Sequence, residues 1–315
     1  RYHLSSENQN AGKELPIESE KTKENFSARL AENAVEERWL ELDGGRMRYL
    51  KTGSGRALIL VHGLMGYSFS WRFAMPALAR YATVYAVDNL GAGLSTAPDG
   101  MDCSLRATAE RILQFADALG LEDFDLLGTS HGGGVAMMTA ALLAERRNSR
   151  LKRLILVAPV NPWSPHGKRL APFLGTAFGS MLVRNMFERW PELHDLGLRR
   201  LFGDGAKIPP DSLAGYRIPM QKNRAVRHAL RIVKNWTADL TELRTALPKI
   251  RDYPTLLMWG TKDRAVYFAS AEPLRQNFRD ARLVAFEGVG HLPYEEAPEQ
   301  FNSALIEFLA AKRTD

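Results

Sequence analysis

The sequence predicts an α/β protein: a mostly parallel central sheet flanked by helices and interrupted by a helical insertion. Three observations carry that expectation. Continuous apolar runs such as Ala57-Leu58-Ile59-Leu60-Val61 suit strands buried on both faces, as a parallel sheet requires. Such runs alternate with stretches of helical spacing, the rhythm of strand–helix–strand units. The rhythm lapses between about Asn161 and Leu247, where helical patterns, prolines and basic residues occur without an apolar strand, and then resumes.

Residues 1–34 are polar and read as a flexible or partly helical leader, with an ordered docking arm as the alternative. The first half of the core is expected over 35–160. Two strand-like stretches flanking Asp43-Gly44-Gly45 predict a hairpin, and the first parallel strand follows at 57–61. A helix is expected over 71–80, a strand over Thr83–Val87, and a helix from Leu105 to Leu119 ending at Gly120. A short strand at Phe124–Leu127 leads to a small-residue helix from Gly132, and Arg153–Val157 is the next strand. The insertion is placed at 161–248. The second half of the core, 249–315, brings strands at Thr255–Trp259 and Arg282–Phe286 and a closing helix from Pro298 to about Lys312.

The composition is that of a globular chain able to bury a large core: 315 residues, 45% hydrophobic, 25% charged. The formal net charge of +6 comes without a dense basic run, which argues against nucleic acid as a partner. Cys103 is the one cysteine, so no internal disulfide forms, and a cytoplasmic setting is favoured. No stretch approaches the roughly 18 apolar residues of a membrane span. The chain begins at Arg1, so removal of an upstream signal or anchor is compatible with it.

The chemistry centres on Gly128-Thr129-Ser130-His131-Gly132, which follows one predicted strand and opens a helix. A nucleophilic serine held on a sharp strand-to-helix turn needs that context, with flanking glycines where strand and helix approach closely. A serine hydroxyl is a weak nucleophile until a base takes its proton. His291, in the shaped loop Gly288-Val289-Gly290-His291-Leu292-Pro293, is the expected base. Asp263, just beyond the strand ending at Trp259, is the expected orienting acid, since open sheets place sites at the carboxyl ends of their strands. After the strand ending at Val157 no acidic residue appears before Glu188, which removes the rival position. Oxyanion donors are expected from the backbone N–H groups of His131 and Leu64.

Together Val61-His62-Gly63-Leu64, Asp88-Asn89-Leu90-Gly91-Ala92-Gly93-Leu94-Ser95, the Ser130 pentapeptide, Trp259-Gly260-Thr261-Lys262-Asp263 and Gly290-His291 resemble the α/β-hydrolase superfamily. The resemblance runs from about Val35 to Leu309. It is closest to the capped serine-hydrolase branch of carboxylesterases, lipases and carbon–carbon bond hydrolases, where the insertion would be the helical cap. It implies hydrolysis through an acyl-enzyme on Ser130 with no metal or organic cofactor. Ser130 argues against the epoxide hydrolase and haloalkane dehalogenase branches, whose nucleophile is normally Asp. Leu90 departs from the Arg often found there. Leu292-Pro293-Tyr294 lacks the Trp that ring-cleavage hydrolases often place after the histidine.

The expected substrate is a small ester with an apolar acyl or alcohol part. The alternatives are carbon–carbon cleavage of a diketone by the same triad, or a non-catalytic ligand-binding protein. Met65, Phe69, Trp71, Phe173, Phe178, Met181 and Leu292 are the expected pocket residues. The apolar start of the insertion leaves three readings open: acyl pocket, shallow membrane contact, or ordinary packing. Arg217, Lys222, Arg224, Arg227 and Arg231 read as a solvated basic helix face, with binding of an anionic group as the alternative.

Overall fold

The computed structural model describes residues 17–164, 167, 171–190 and 192–311. Residues 1–16 of the expected leader and the expected helix end at Lys312 lie outside them, as do the side chains of 17–23 and 221–223.

Eight strands form one sheet: β1 Glu36–Leu42, β2 Gly45–Thr52, β3 Ala57–Val61, β4 Thr83–Val87, β5 Phe124–Thr129, β6 Leu151–Val157, β7 Thr255–Gly260 and β8 Ala281–Phe286. Their order is β1-β2-β4-β3-β5-β6-β7-β8. β1 pairs antiparallel with β2, and β2 with β4; every later pairing is parallel. The helices are α1 Ile17–Glu32, α2 Met75–Leu78, α3 Leu105–Ala118, α4 His131–Glu145, α5 Ala171–Leu174, α6 Ala177–Arg189, α7 Glu192–Leu201, α8 Ser212–Arg217, α9 Arg224–Ala246, α10 Ala271–Arg275, α11 Pro293–Glu296 and α12 Pro298–Ala310. Helices α5 to α9 lie between β6 and β7, so the described part of the insertion is helical.

Side-chain alternation along the strands divides the interior into two cores. Ile59, Val61, Leu126, Leu154, Leu156 and Leu257 face α3 and α4, packing on Ile112, Phe115 and Met138. Leu58, Leu60, Leu127, Ile155, Val157 and Met258 face the other way, onto Trp71, Leu78, Phe301 and Leu305. Both faces of the inner strands are therefore dry, which is why their sequences read as unbroken apolar runs.

One expectation needs correction, and one alternative for the leader is favoured. The helix expected over 71–80 is a 3-10 turn at Ser68–Trp71 followed by α2, because Pro76 fits only the first turn of a helix. The docking-arm alternative describes the second half of the leader: Phe26 of α1 is buried edge-on against Phe69 at 5.1 Å, and Arg29 lies 3.4 Å from Asp211. Apolar residues one helical turn apart, Phe26 and Leu30, suffice to seat a helix that is otherwise polar. Among the described residues no helix is long and apolar enough to cross a membrane.

Candidate active site

The turn from β5 into α4 is tight enough to exclude side chains on both sides of Ser130. A Cβ on Gly128 would lie 2.1 Å from the Gly132 carbonyl oxygen, and one on Gly132 would lie 2.4 Å from those of Val61 and His62. Ser130 itself takes φ 54° and ψ −121°, a left-handed conformation costing a non-glycine residue about 1–3 kcal/mol. Its backbone is held there: Ser130 N donates to Val157 O at 2.9 Å, while Ser130 O accepts from Gly133 N at 3.0 Å and Val160 N at 2.9 Å. The serine thus sits at the N-terminus of α4, beside the carboxyl ends of β3 and β6.

His291 and Asp263 come from the loops after β8 and β7. Asp263 Oδ1 accepts the backbone N–H groups of Ala265 at 2.7 Å and Val266 at 2.9 Å, which fixes the carboxylate plane. Its Oδ2 lies 2.7 Å from His291 Nδ1. A carboxylate accepts only, so Nδ1 carries the proton and Nε2 is left as the basic nitrogen. Both side chains are buried. The loop holding His291 is tied down from two further directions: His291 N donates to Leu201 O at 2.6 Å, and Gly290 N to Glu296 Oε2 at 2.8 Å.

The loop after β3 makes a tight turn, Gly66 N to Gly63 O at 3.0 Å, with Met65 at φ 59°. His62 anchors it. Asn89 N donates to His62 Nε2 at 3.0 Å, so the ring proton is on Nδ1, which donates to Gly63 O at 2.8 Å. Burial pushes the His62 pKa down, in keeping with that neutral ring. His131, next to Ser130, is buried too, and burial followed by its neighbour His62 lowers its pKa to about 3.

Ser130 and His291 line one cavity of about 270 Å³. Leu64 and Met65 border it from the β3 loop, with Val160, Val266 and Leu292. The insertion supplies Phe187, Leu193, Leu198, Leu201, Trp236 and Leu240. No Lys or Arg is among the described lining residues. The walls are therefore apolar apart from a few hydroxyl, amide and imidazole groups.

Of the seven expected pocket residues, Met65 and Leu292 line this cavity. Phe69 and Trp71 do not: both are fully buried in the core, Phe69 under the Arg72 guanidinium at 3.9 Å and Trp71 against Tyr294 at 4.8 Å. Phe173, Phe178 and Met181 do not either, since the structure turns them to solvent. The insertion residues that do line it were missed. Leu193, Gly197, Leu198 and Leu201 follow the stripe of one helix face, a signal usable only once the start of α7 is known. Sequence reading also missed a buried polar network between Arg72 and Glu295. Arg72 Nη2 lies 2.7 Å from Glu295 Oε2, and Tyr216 and Ser212 of α8 donate to the same carboxylate at 2.8 and 2.9 Å. Of the basic helix residues, Arg217 pairs with Asp195 at 2.8 Å, Arg224 donates to Ser95 O at 2.7 Å and Arg231 pairs with Asp99 at 2.6 Å. Arg227 is exposed, and the Lys222 side chain lies outside the described residues.

Comparison with known proteins agrees with this fold. A family profile described as alpha/beta hydrolase fold matches residues 56–298. The chain is 30% identical over 279 residues to haloalkane dehalogenase 2 of Mycobacterium bovis, covering 86% of this chain and 94% of that one. It is 27% identical over 292 residues to 2-hydroxy-6-oxo-6-(2'-aminophenyl)hexa-2,4-dienoic acid hydrolase of Metapseudomonas resinovorans, covering 90% and 93%. Among solved structures, a membrane phospholipase A described as a bacterial virulence factor superposes with a TM-score of 0.76 at 25% identity, covering 93% of this chain and 91% of that one.

Proposed function

The chain belongs to the α/β-hydrolase fold family and is a hydrolase of that fold, and from this premise we propose that it cleaves carboxylic esters with an apolar acyl or alcohol part. The observation that carries the reading is the shared apolar cavity of Ser130 and His291, with His291 oriented by Asp263. The insertion, residues 161–248, acts as the cap over that cavity. Ser130 Oγ attacks the ester carbonyl as His291 Nε2 takes its proton, and Asp263 stabilises the imidazolium that forms. The N–H groups of Leu64 and His131 receive the oxyanion. The alcohol leaves with the proton from His291. Water, deprotonated by the same nitrogen, then releases the acid and frees Ser130.

The likeness to a dienoic acid hydrolase favours a second reading, carbon–carbon cleavage by the same three residues. Such a substrate is a carboxylate, and the described cavity wall offers no Lys or Arg to pair with it. A neutral ester meets no such penalty, and the likeness to a phospholipase A points the same way. The dehalogenase relative is set apart by Ser130, because halide displacement uses a carboxylate nucleophile.

The test pairs labelling with turnover. A fluorophosphonate should modify Ser130 in the native chain and fail to modify Ser130→Ala. A graded series of p-nitrophenyl esters should be hydrolysed faster than a ring-cleavage dienoate, with Ser130→Ala losing at least about 10³-fold in kcat. Faster turnover of the dienoate would select the second reading. No adduct and no turnover would favour a ligand-binding role.

A further inference from the structure

Helices α6 and α7 are apolar on two sides. Their inner sides supply Phe187, Leu193, Leu198 and Leu201 to the cavity. Outside, Phe178 is 63% exposed, Leu182 50%, Trp190 55% and Leu196 56%. Phe173 and Met181 join them, so among the described residues six of the eight exposed large hydrophobic ones fall within 24 positions of the insertion. Isolated exposed apolar residues need no explanation, but a concentration of this kind does.

Helical spacing aligns the exposed residues with arginines. On α6, Phe178, Met181, Leu182 and Arg189 recur at intervals of three, four and seven and share one face. On α7, Leu196, Arg199 and Arg200 share a face, and all three are exposed. Arginines at the edge of an apolar face can lay their stems along it and keep their charge at a polar boundary. The acidic residues of this stretch are Glu188, Glu192 and Asp195, and Asp195 is engaged by Arg217.

The charge of the whole chain points to the same region. Residues 161–248 hold 14 Lys and Arg against 7 Asp and Glu, a surplus of seven, whereas the full chain has 42 against 36, a surplus of six. The positive excess therefore belongs entirely to the insertion. An apolar face fringed by arginine on the positive part of a protein is complementary to an interface between hydrocarbon and anionic headgroups.

We infer that the outer face of α6 and α7 docks on an anionic lipid surface, with Phe178, Met181, Leu182, Trp190 and Leu196 entering the interface and Arg189, Arg199 and Arg200 meeting the headgroups. Docking there places one side of the two helices against lipid while their other side lines the cavity, so an apolar molecule leaving the bilayer meets the site across a single helical layer. The docking stands apart from the reaction assigned above and is read by binding alone.

The experiment is co-sedimentation of the full chain with phosphatidylcholine vesicles, with and without about a third phosphatidylglycerol. The expected result is binding to the anionic vesicles, weakened by salt. Leu182→Asp/Leu196→Asp should bind at least about tenfold more weakly. Arg189→Gln/Arg199→Gln/Arg200→Gln should lose the preference for anionic over neutral vesicles. Unchanged far-ultraviolet circular dichroism and melting temperature establish that both variants fold. Failure of the parent chain to sediment with anionic vesicles would overturn the proposal. So would equal binding to neutral vesicles, or binding indifferent to Leu182→Asp/Leu196→Asp. Light scattering that shows a dimer dispersed by Leu182→Asp/Leu196→Asp, without vesicle binding, would assign the face to a second copy instead.

Discussion

A single carboxylate decides which nitrogen of His291 is basic. Asp263 Oδ1 is taken by two backbone amides, which leaves Oδ2 for the histidine. In Asp263→Asn the side-chain oxygen would stay with Ala265 and Val266, and the NH₂ would face Nδ1. The ring would then have to accept there and carry its proton on Nε2, where it cannot act as base. We expect kcat on a p-nitrophenyl ester to fall about 10³–10⁴-fold with little change in KM, measured by steady-state kinetics. The three residues of this arrangement were legible in the sequence because each lies in a short loop of distinctive composition and in the order Ser, Asp, His. The tautomer of His62 was not, since it depends on the Asn89 amide, which folding alone brings within reach.

Between elements, the short helix α11 carries two buried carboxylates with different tasks. Glu295 ties Arg72 to α8, and Glu296 joins the histidine loop to the insertion. Glu296 accepts Gly203 N at 2.9 Å, Asp204 N at 2.9 Å and Gly290 N at 2.8 Å. Glutamine could keep its oxygen on Gly203 and Gly290, but its NH₂ would then oppose the Asp204 amide. Losing one charge-assisted bond and leaving a donor unpaired should cost Glu296→Gln about 1.5–3 kcal/mol, read as a lower melting temperature. Labelling of Ser130 by a fluorophosphonate should slow as well, because the same contacts hold His291. The strands were easy to find, for burial on both faces leaves unbroken apolar runs. Helix faces were not. Phe69 and Trp71 looked like pocket residues beside the catalytic loop, yet the 3-10 turn points them into the core, and α6 turns Phe178 and Met181 to solvent.

For the molecule as a whole, buried histidines link stability to pH. His131 of the core and His228 of α9 both have pKa values lowered to about 3, chiefly by burial, and His62 is lowered for the same reason. An unfolded chain binds protons on these rings near pH 6.5, while the folded one refuses them on His131 and His228 until about pH 3 and holds His62 below its ordinary value. The stability they contribute is therefore complete above pH 6.5 and is lost as pH falls from there, by about 1.4 kcal/mol per histidine per pH unit. Denaturant titrations at several pH values should show this slope, and His228→Gln should make it shallower by roughly one histidine's share. The division into core and insertion was visible in the sequence as a lapse in strand rhythm; how the two are joined was not, because the joints bring together residues far apart in the chain, Glu296 with Gly203 and Asp204 or the His291 amide with Leu201. One of them constrains any redesign of the roof. Since the amide of His291 hangs from the last turn of α7, at Leu201, that turn belongs to the proposed catalytic apparatus as much as to the lining. A chimera that exchanges α6 alone would alter which molecules fit while sparing the base. One that replaces α7 would forfeit selectivity and reactivity together.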